Sequence, residues 1–389
     1  MHVSRKNYLV LIFGAALLLL QPALTAQAQT YFPPYGSEWE ERSPEALGMD
    51  ANLLQQAVDF ALEAESYIPR DLDLFIAQSF AGEPHNEIIG PTRERGPATG
   101  MILRDGYLVA EWGDTERVDM TFSVTKSFLS ATAGIAFDQG LIKDVDDPVR
   151  KYVQDGGFAS EQNESITWHQ LLNMTSEWEG TLWDKPDWAD RPVGERGSYH
   201  ERELQEPGTH WKYNDVRVNR LALSLLRVFR EPLPRILREH VMDPIGASRT
   251  WEWHGYDNSW VTVDGQKVQS VSGGGHWGGG MFISARDLAR FGLLTLHNGA
   301  WDGTQVLSEE WLERVRTPTD LQPTFGYMNW FVNTDQELLS SAPESSFYHA
   351  GAGSNIVYVD PENDLVIVTR WIDSDELDAF IGRVLDAID

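Results

Sequence analysis

Hydrophobic residues change their spacing several times along this chain, and each change predicts an element. Leu53, Leu54, Val58 and Leu62 recur at helical intervals between Ala51 and Glu65, which predicts a surface helix packing on a sheet. The prolines and glycines from Tyr67 to Pro97 read as loop. Thr99 to Trp112 gives two short strands around Arg104-Asp105-Gly106, a hairpin turn signal. Thr121 offers an N-cap to a helix from Phe122 to Gln139, whose small residues (Ser127, Ser130, Ala131, Ala133, Gly134, Ala136) suit burial on nearly all sides; Gly140 stops it. Helices are also predicted over Ile166 to Met174, Val216 to Phe229 and Pro234 to Val241. Strands return at Phe325 to Asn333, Ser354 to Asp360 and Leu365 to Ile372, before a closing helix from Glu376 to Ile388.

Strands first, helices in the middle and strands last predict an α/β (α+β) architecture: an antiparallel sheet flanked by helices and built from both ends of the chain, with an all-helical lobe inserted. The expected sheet lobe covers about 45–120 and 265–389 and the helical lobe about 121–264, with a cleft between them. No fixed-period repeat interrupts this order.

The first residues change where the chain is expected to work. Arg5 and Lys6, the apolar run Leu9 to Leu20 and Ala26-Gln27-Ala28 form the charged, hydrophobic and small-residue pattern of a cleaved signal over residues 1–28. Twelve apolar residues are too few to span a bilayer, which takes roughly 20. The mature protein is therefore expected to start near Gln29 and to be secreted or periplasmic, with no membrane partner. It keeps 361 of the 389 residues as one large domain or two interleaved lobes. There is no cysteine, so disulfides and thiol catalysis are both excluded. Losing Arg5 and Lys6 takes the formal charge from −28 to −30, which opposes binding to nucleic acid or anionic membranes.

Ser123-Val124-Thr125-Lys126 brings a serine and a lysine to the same face of the predicted buried helix. Ser123 at its first turn would sit in the positive end of the dipole, which favours a nearby oxyanion. A hydroxyl needs a base, and a lysine serves if burial keeps it neutral, or alters a third group if it stays charged. A lysine in so apolar a helix is costly without a partner or a task.

With these residues the chain resembles the serine β-lactamase and penicillin-binding-protein superfamily, above all its class C-like branch of β-lactamases, D-aminopeptidases, esterases and 6-aminohexanoate-dimer hydrolases. The resemblance runs from about Glu45 to the C-terminus. It covers Phe122 to Ile142, Asp146-Asp147-Pro148, Ile166 to Ser176, Pro207-Gly208, Gly278-Gly279-Gly280-Met281, Ala285 to Gly292, and His349-Ala350-Gly351. It implies a β-lactamase/transpeptidase-like fold and a serine hydrolase cleaving a small ester or amide through an acyl-Ser123 intermediate, with no cofactor and no metal.

The family's Tyr-x-Asn motif has two candidates here. Tyr327-Met328-Asn329 fits the letters, but Tyr213-Asn214-Asp215 fits the context, following Pro207-Gly208 and preceding a helix. The resemblance thus implies Tyr213 as the functional tyrosine, with Asp215 where the family has asparagine. A carboxylate there favours the ammonium form of Lys126 and leaves Tyr213 as the proton acceptor. The resemblance further implies that His349 and Gly351 belong to the substrate-binding strand. The oxyanion hole would be the N–H groups of Ser123 and of Ala352, the residue following Gly351 on that strand. Ala350 lacks the hydroxyl with which β-lactamases hold a substrate carboxylate, which lowers the expectation of penicillinase activity: a short-acyl carboxylesterase comes first, an amidase or D-peptidase next and a β-lactamase third.

Other chemistries lack their patterns. There is no Gly-x-Ser-x-Gly elbow and no His-Glu-x-x-His, and Gly273 to Gly280 lacks the ending of a phosphate loop. His169, His210, His254 and His276 are scattered and read as structural, and the glycine cluster reads as tight packing around His276 and Trp277. Trp178, Trp183 and Trp188 are either core or a cleft wall. A non-catalytic sensor of the same fold is the alternative, although a binder needs neither Ser123, Lys126 nor Tyr213.

Overall fold

A computed structural model of the chain describes residues 30–36, 38–330 and 333–388; the expected signal over residues 1–28 lies outside them. Five antiparallel strands form the main sheet, in the order Phe347–Gly351, Asn355–Asp360, Leu365–Arg370, Thr99–Arg104 and Tyr107–Trp112. The sheet is thus closed by pairing the early hairpin with the late strands, Met101 opposite Val368 and Ile102 opposite Ile367. The hairpin turns at Asp105 and Gly106, whose φ values of 51° and 82° suit a two-residue turn of the type Asp-Gly favours.

Leu365–Arg370 is buried along its whole length because alternate residues enter different cores. Ile356, Tyr358 and Ile367 face helices Ala51–Glu63 and Leu377–Leu385. Val357, Val359, Val366 and Val368 face the larger core with helix Ala285–Leu296. Each face therefore removes its own set of apolar side chains from water, the main favourable term in holding the layers together.

Thr125–Asp138 is the central helix, and its residues from Thr125 to Ala136 are all buried. Gly134 permits this, since an added Cβ would lie 2.6 Å from the Trp311 ring. The expected helix begins later than its sequence suggests: Phe122–Val124 forms a 3-10 turn, entered through a positive φ of 48° at Phe122, and Thr121 makes no side-chain cap. Ser123 accordingly stands just ahead of the α-helix, not inside its first turn. Helices Trp168–Leu172, closed by a Thr167–Gln170 capping box, and Asp215–Phe229 complete the surroundings of the central helix.

Three further segments differ from expectation. The stretch from Tyr67 to Pro97, read as loop, holds a helix over Leu72–Ser79 that the Asp71 side chain caps. The region taken as helical up to 264 ends in a strand, Glu252–Val263, which pairs with Gln266–Val271 and joins a four-stranded sheet with Gly280–Ile283 and Asp119–Met120. Phe325 to Asn333 is not one strand but two short ones, Phe325–Gly326 and Asn329–Trp330, joined at Tyr327 and Met328 with φ of 43° and 70°. Among the described residues, no helix is long and apolar enough to cross a membrane.

Candidate active site

Ser123 is half-buried, and Lys126, one turn further on, is 1% exposed. The Lys126 Nζ donates to Ser123 Oγ at 3.0 Å and forms an ion pair with Asp215 Oδ1 at 2.5 Å. Its third direction is towards Tyr213, whose ring centroid lies 4.9 Å away. The two motifs separated by some ninety residues in the chain therefore meet at one ammonium group.

Local chain geometry explains the meeting. Asn214 caps helix Asp215–Phe229, accepting from Arg217 N at 3.0 Å and donating to Asp187 O at 2.7 Å. This puts Tyr213 just outside the helix and Asp215 at its first position, where the helix dipole favours a carboxylate. Gly274 makes room for the Lys126–Asp215 pair: a Cβ at that position would overlap both charged groups. Burial alone would raise the Asp215 carboxyl, but Lys126, His276 and Arg191 together hold it well below the usual carboxylate range. Burial likewise opposes the Lys126 ammonium, yet Asp215 and Tyr213 outweigh it, so Lys126 is held charged.

Gly351, the last residue of its strand, lies against the turn carrying Ser123; a Cβ there would stand 3.0 Å from Ser123 N. Ala352 is exposed and sits in the turn beyond this strand, a correction to its expected place on it. His349 lies on the strand as expected, but its side chain is corrected from a substrate contact to an internal one. Its Nδ1 meets Asn329 Oδ1 at 2.8 Å and Ser127 Oγ at 3.0 Å, its Nε2 meets Thr295 Oγ1 at 3.2 Å, and it is 1% exposed. Burial pushes its pKa down to about 3, so it is a neutral strut between the strand and the helices beneath it, with no nitrogen offered to a substrate. The competing Tyr327 is 2% exposed, and its hydroxyl is 3.0 Å from His169 Nδ1.

Four residues of the site carried no sequence signal of their own. Arg191 Nη1 reaches Asp215 Oδ2 at 3.1 Å and Asp190 Oδ1 at 2.5 Å, and its guanidinium lies 4.8 Å from the centroid of the Tyr213 ring. His276 donates to Glu83 Oε2 at 2.7 Å and turns Nδ1 to Asp190 at 3.3 Å and Asp215 at 3.5 Å. Glu83, Asp190 and His276 thus bring ligand-type atoms within 4.8 Å of one another, but the Arg191 guanidinium already supplies the positive charge beside Asp190. The sole hint of this cluster in the sequence was the run of glycines around His276.

Trp178 and Trp188 line a cavity of about 570 Å³ together with Asn163, Asp187, His200 and Arg202, whereas Trp183 lies outside its lining. Neither Ser123 nor Tyr213 contributes to that cavity.

Residues 101–371 match the sequence model of the family described as Beta-lactamase. The chain is 23% identical over 310 residues to a 6-aminohexanoate-dimer hydrolase of Paenarthrobacter ureafaciens, covering 71% of this chain and 73% of that one. Its fold is similar to that of a family VIII carboxylesterase, with a TM-score of 0.55 and 17% identity over 88% of this chain and 98% of the other. It is also similar to a penicillin-binding protein homologue from Caulobacter crescentus, with a TM-score of 0.54 and 14% identity over 81% and 95% of the two chains.

Proposed function

This chain belongs to the beta-lactamase family, whose members are serine hydrolases, and on that premise we propose that it cleaves a small ester through an acyl-Ser123 intermediate. The observation that carries the proposal is the position of Lys126 Nζ, 3.0 Å from Ser123 Oγ, ion-paired with Asp215 and 4.9 Å from the centroid of the Tyr213 ring. An ammonium so placed has no lone pair to accept the serine proton, which leaves Tyr213 as the acceptor and Lys126 as the charge that organises both oxygens.

In the proposed reaction, Ser123 Oγ attacks the carbonyl carbon as its proton passes to the Tyr213 oxygen, which reacts as the phenolate beside the Lys126 ammonium. The developing oxyanion is met by the N–H groups of Ser123 and Ala352. Collapse breaks the bond to the leaving alcohol, which takes the proton back from Tyr213. Water then attacks the acyl-serine by the same route, releasing the acid and restoring Ser123. Ala350 offers no hydroxyl to a substrate carboxylate, which favours plain short-acyl esters. Amide bonds are the second class, supported by the likeness to a 6-aminohexanoate-dimer hydrolase.

The test is a panel of p-nitrophenyl acetate, butyrate and octanoate, a D-alanyl anilide and a penicillin, run on the parent and on Tyr213→Phe. Highest kcat/KM on the acetate or butyrate, with a loss of about 100-fold or more in Tyr213→Phe, is expected. Faster anilide or penicillin turnover would move the substrate to amides, and a Tyr213→Phe variant as active as the parent would remove the proposed proton acceptor. We also propose export, from the signal pattern over residues 1–28; a secreted product whose mass starts near Gln29 is the corresponding result.

A further inference from the structure

The polar network that begins at Ser123 does not end at Asp215. It continues through Arg191 and His276 to Asp190 and Glu83, and the proposed reaction gives none of these four a task. Asp190 is fully buried and its carboxylate accepts the backbone N–H of Asp215, so a second acidic group is fixed beside the first. Glu83 brings a third, through His276. Against these three carboxyl groups stand three cationic side chains, Lys126, Arg191 and His276.

The arrangement of those cations is specific. Arg191 places one nitrogen between the Asp190 and Asp215 carboxylates, at 2.5 and 3.1 Å. His276 is stacked on Phe80 with ring centroids 3.7 Å apart, which fixes the plane in which its two nitrogens meet Glu83 on one side and Asp190 and Asp215 on the other. Asp215 therefore divides its two oxygens: Oδ1 to Lys126, Oδ2 to Arg191 and His276. Burial raises the Asp190 carboxyl even with Arg191 and His276 beside it, so removing either partner of Oδ2 leaves Asp215 with Lys126 as its main counter-charge, drawing Lys126 towards the acids and away from Ser123.

We propose that Arg191 and His276 are positioning residues that hold Asp215 as an oriented carboxylate, so that Lys126 Nζ stays on Ser123 Oγ, and that their influence on turnover runs through the charge at position 215. This rests on the reading of Ser123 and Lys126 given above. It also accounts for an aspartate where the resemblance places asparagine: the extra charge comes with two dedicated counter-charges from distant parts of the chain.

The test is a double-mutant cycle in the full chain. With Asp215 present, Arg191→Gln and His276→Gln are each expected to lower kcat about tenfold or more while KM changes less than about threefold. In an Asp215→Asn background the same two substitutions should change kcat by less than about threefold, because the charge they balance is gone. Arg191→Lys, which keeps the charge, should recover most of the loss. Melting temperatures show that each variant is folded, and His276→Asn replaces His276→Gln if the latter is not.

A pH profile supplies a readout that a purely structural role would not move. Burial lowers the His276 imidazolium, but Asp190, Asp215 and Glu83 overcome it and push the pKa up to about 9. The other groups facing it are the Arg191 guanidinium across Asp190 and the uncharged rings of Phe80 and Trp277. Its charge is present below that pH and lost above it, so kcat in the parent should step down near pH 9, and His276→Gln should lack the step. Losses that are equal with Asp215 present and in the Asp215→Asn background overturn the inference. Labelling of Ser123 by a fluorophosphonate separates this from the wider reading: a labelled parent with additive losses sinks only the positioning role, and an unlabelled parent sinks both.

Discussion

Gly351→Ala changes space and little else. Its backbone angles are open to any residue, so alanine adds a methyl group without conformational strain. That methyl carbon would stand 3.0 Å from Ser123 N and 3.2 Å from Val124 N, and nearer still to Thr121 O. All three are backbone atoms, so no side chain can turn aside; strand Phe347–Gly351 and turn Phe122–Val124 must separate. Relief of the Thr121 contact takes a displacement on the order of 1 Å, and a misplacement of that size at a reacting centre costs about 100-fold in rate. The two proposed oxyanion donors, Ser123 N and Ala352 N, lie on opposite sides of the gap that opens. A 100-fold loss corresponds to ~2.7 kcal/mol of barrier, at the lower end of what one oxyanion donor is worth. The assay is kcat on a p-nitrophenyl ester beside the second-order rate of fluorophosphonate labelling, with melting temperature as control, because overpacking also costs ~1–3 kcal/mol of stability. A folded variant whose kcat stays within about threefold of the parent would refute the placement of the oxyanion hole between this turn and this strand.

Gly274→Ala would push a methyl group into the Lys126–Asp215 pair, whose members are 1% and 2% exposed and cannot withdraw into solvent. A fall in kcat of about 100-fold with little change in KM is expected, read by the same ester assay. Glu177→Gln tests the scaffold instead. Its carboxylate is fully buried, 2.5 Å from Arg217 and paired with Arg202, so the substitution strands buried cations and should cost ~3–5 kcal/mol in denaturant unfolding. Burial would raise the Glu177 carboxyl, but Arg217, Gln205 N and Arg202 hold it lowered. Its contribution is thus present above the ordinary glutamate pKa and lost as pH falls through the lowered value, so the parent and Glu177→Gln should converge in stability at strongly acid pH.

The parts of this site that could be read from the sequence are those set by local rules. Ser123 and Lys126 stand one helical turn apart, and Tyr213 precedes a helix whose cap is written in Asn214. The central strands were legible because alternate residues serve two cores, giving the unbroken apolar run from Leu365 to Val368. Hairpin Glu252–Val271 was not, since its pairing shifts register between Gly255 and Trp260 and its outer residues are exposed. The turn at Tyr327 and Met328 was hidden because neither residue type signals a positive φ. Glu83, the adjacent pair Asp190 and Arg191, and His276 come from three separate loops, and no spacing rule links them; only the folded chain brings their charges together. His349 was misplaced for a related reason, because a motif position fixes a residue on a strand while packing decides what its side chain meets.

The proposed chemistry depends on Ser123 being an activated nucleophile. Intact mass of the full chain and of Ser123→Ala, each after exposure to a fluorophosphonate at neutral pH, tests it most directly. One phosphonyl adduct is expected on the parent and none on Ser123→Ala. An unmodified parent, or an adduct that persists in the variant, would contradict that chemistry.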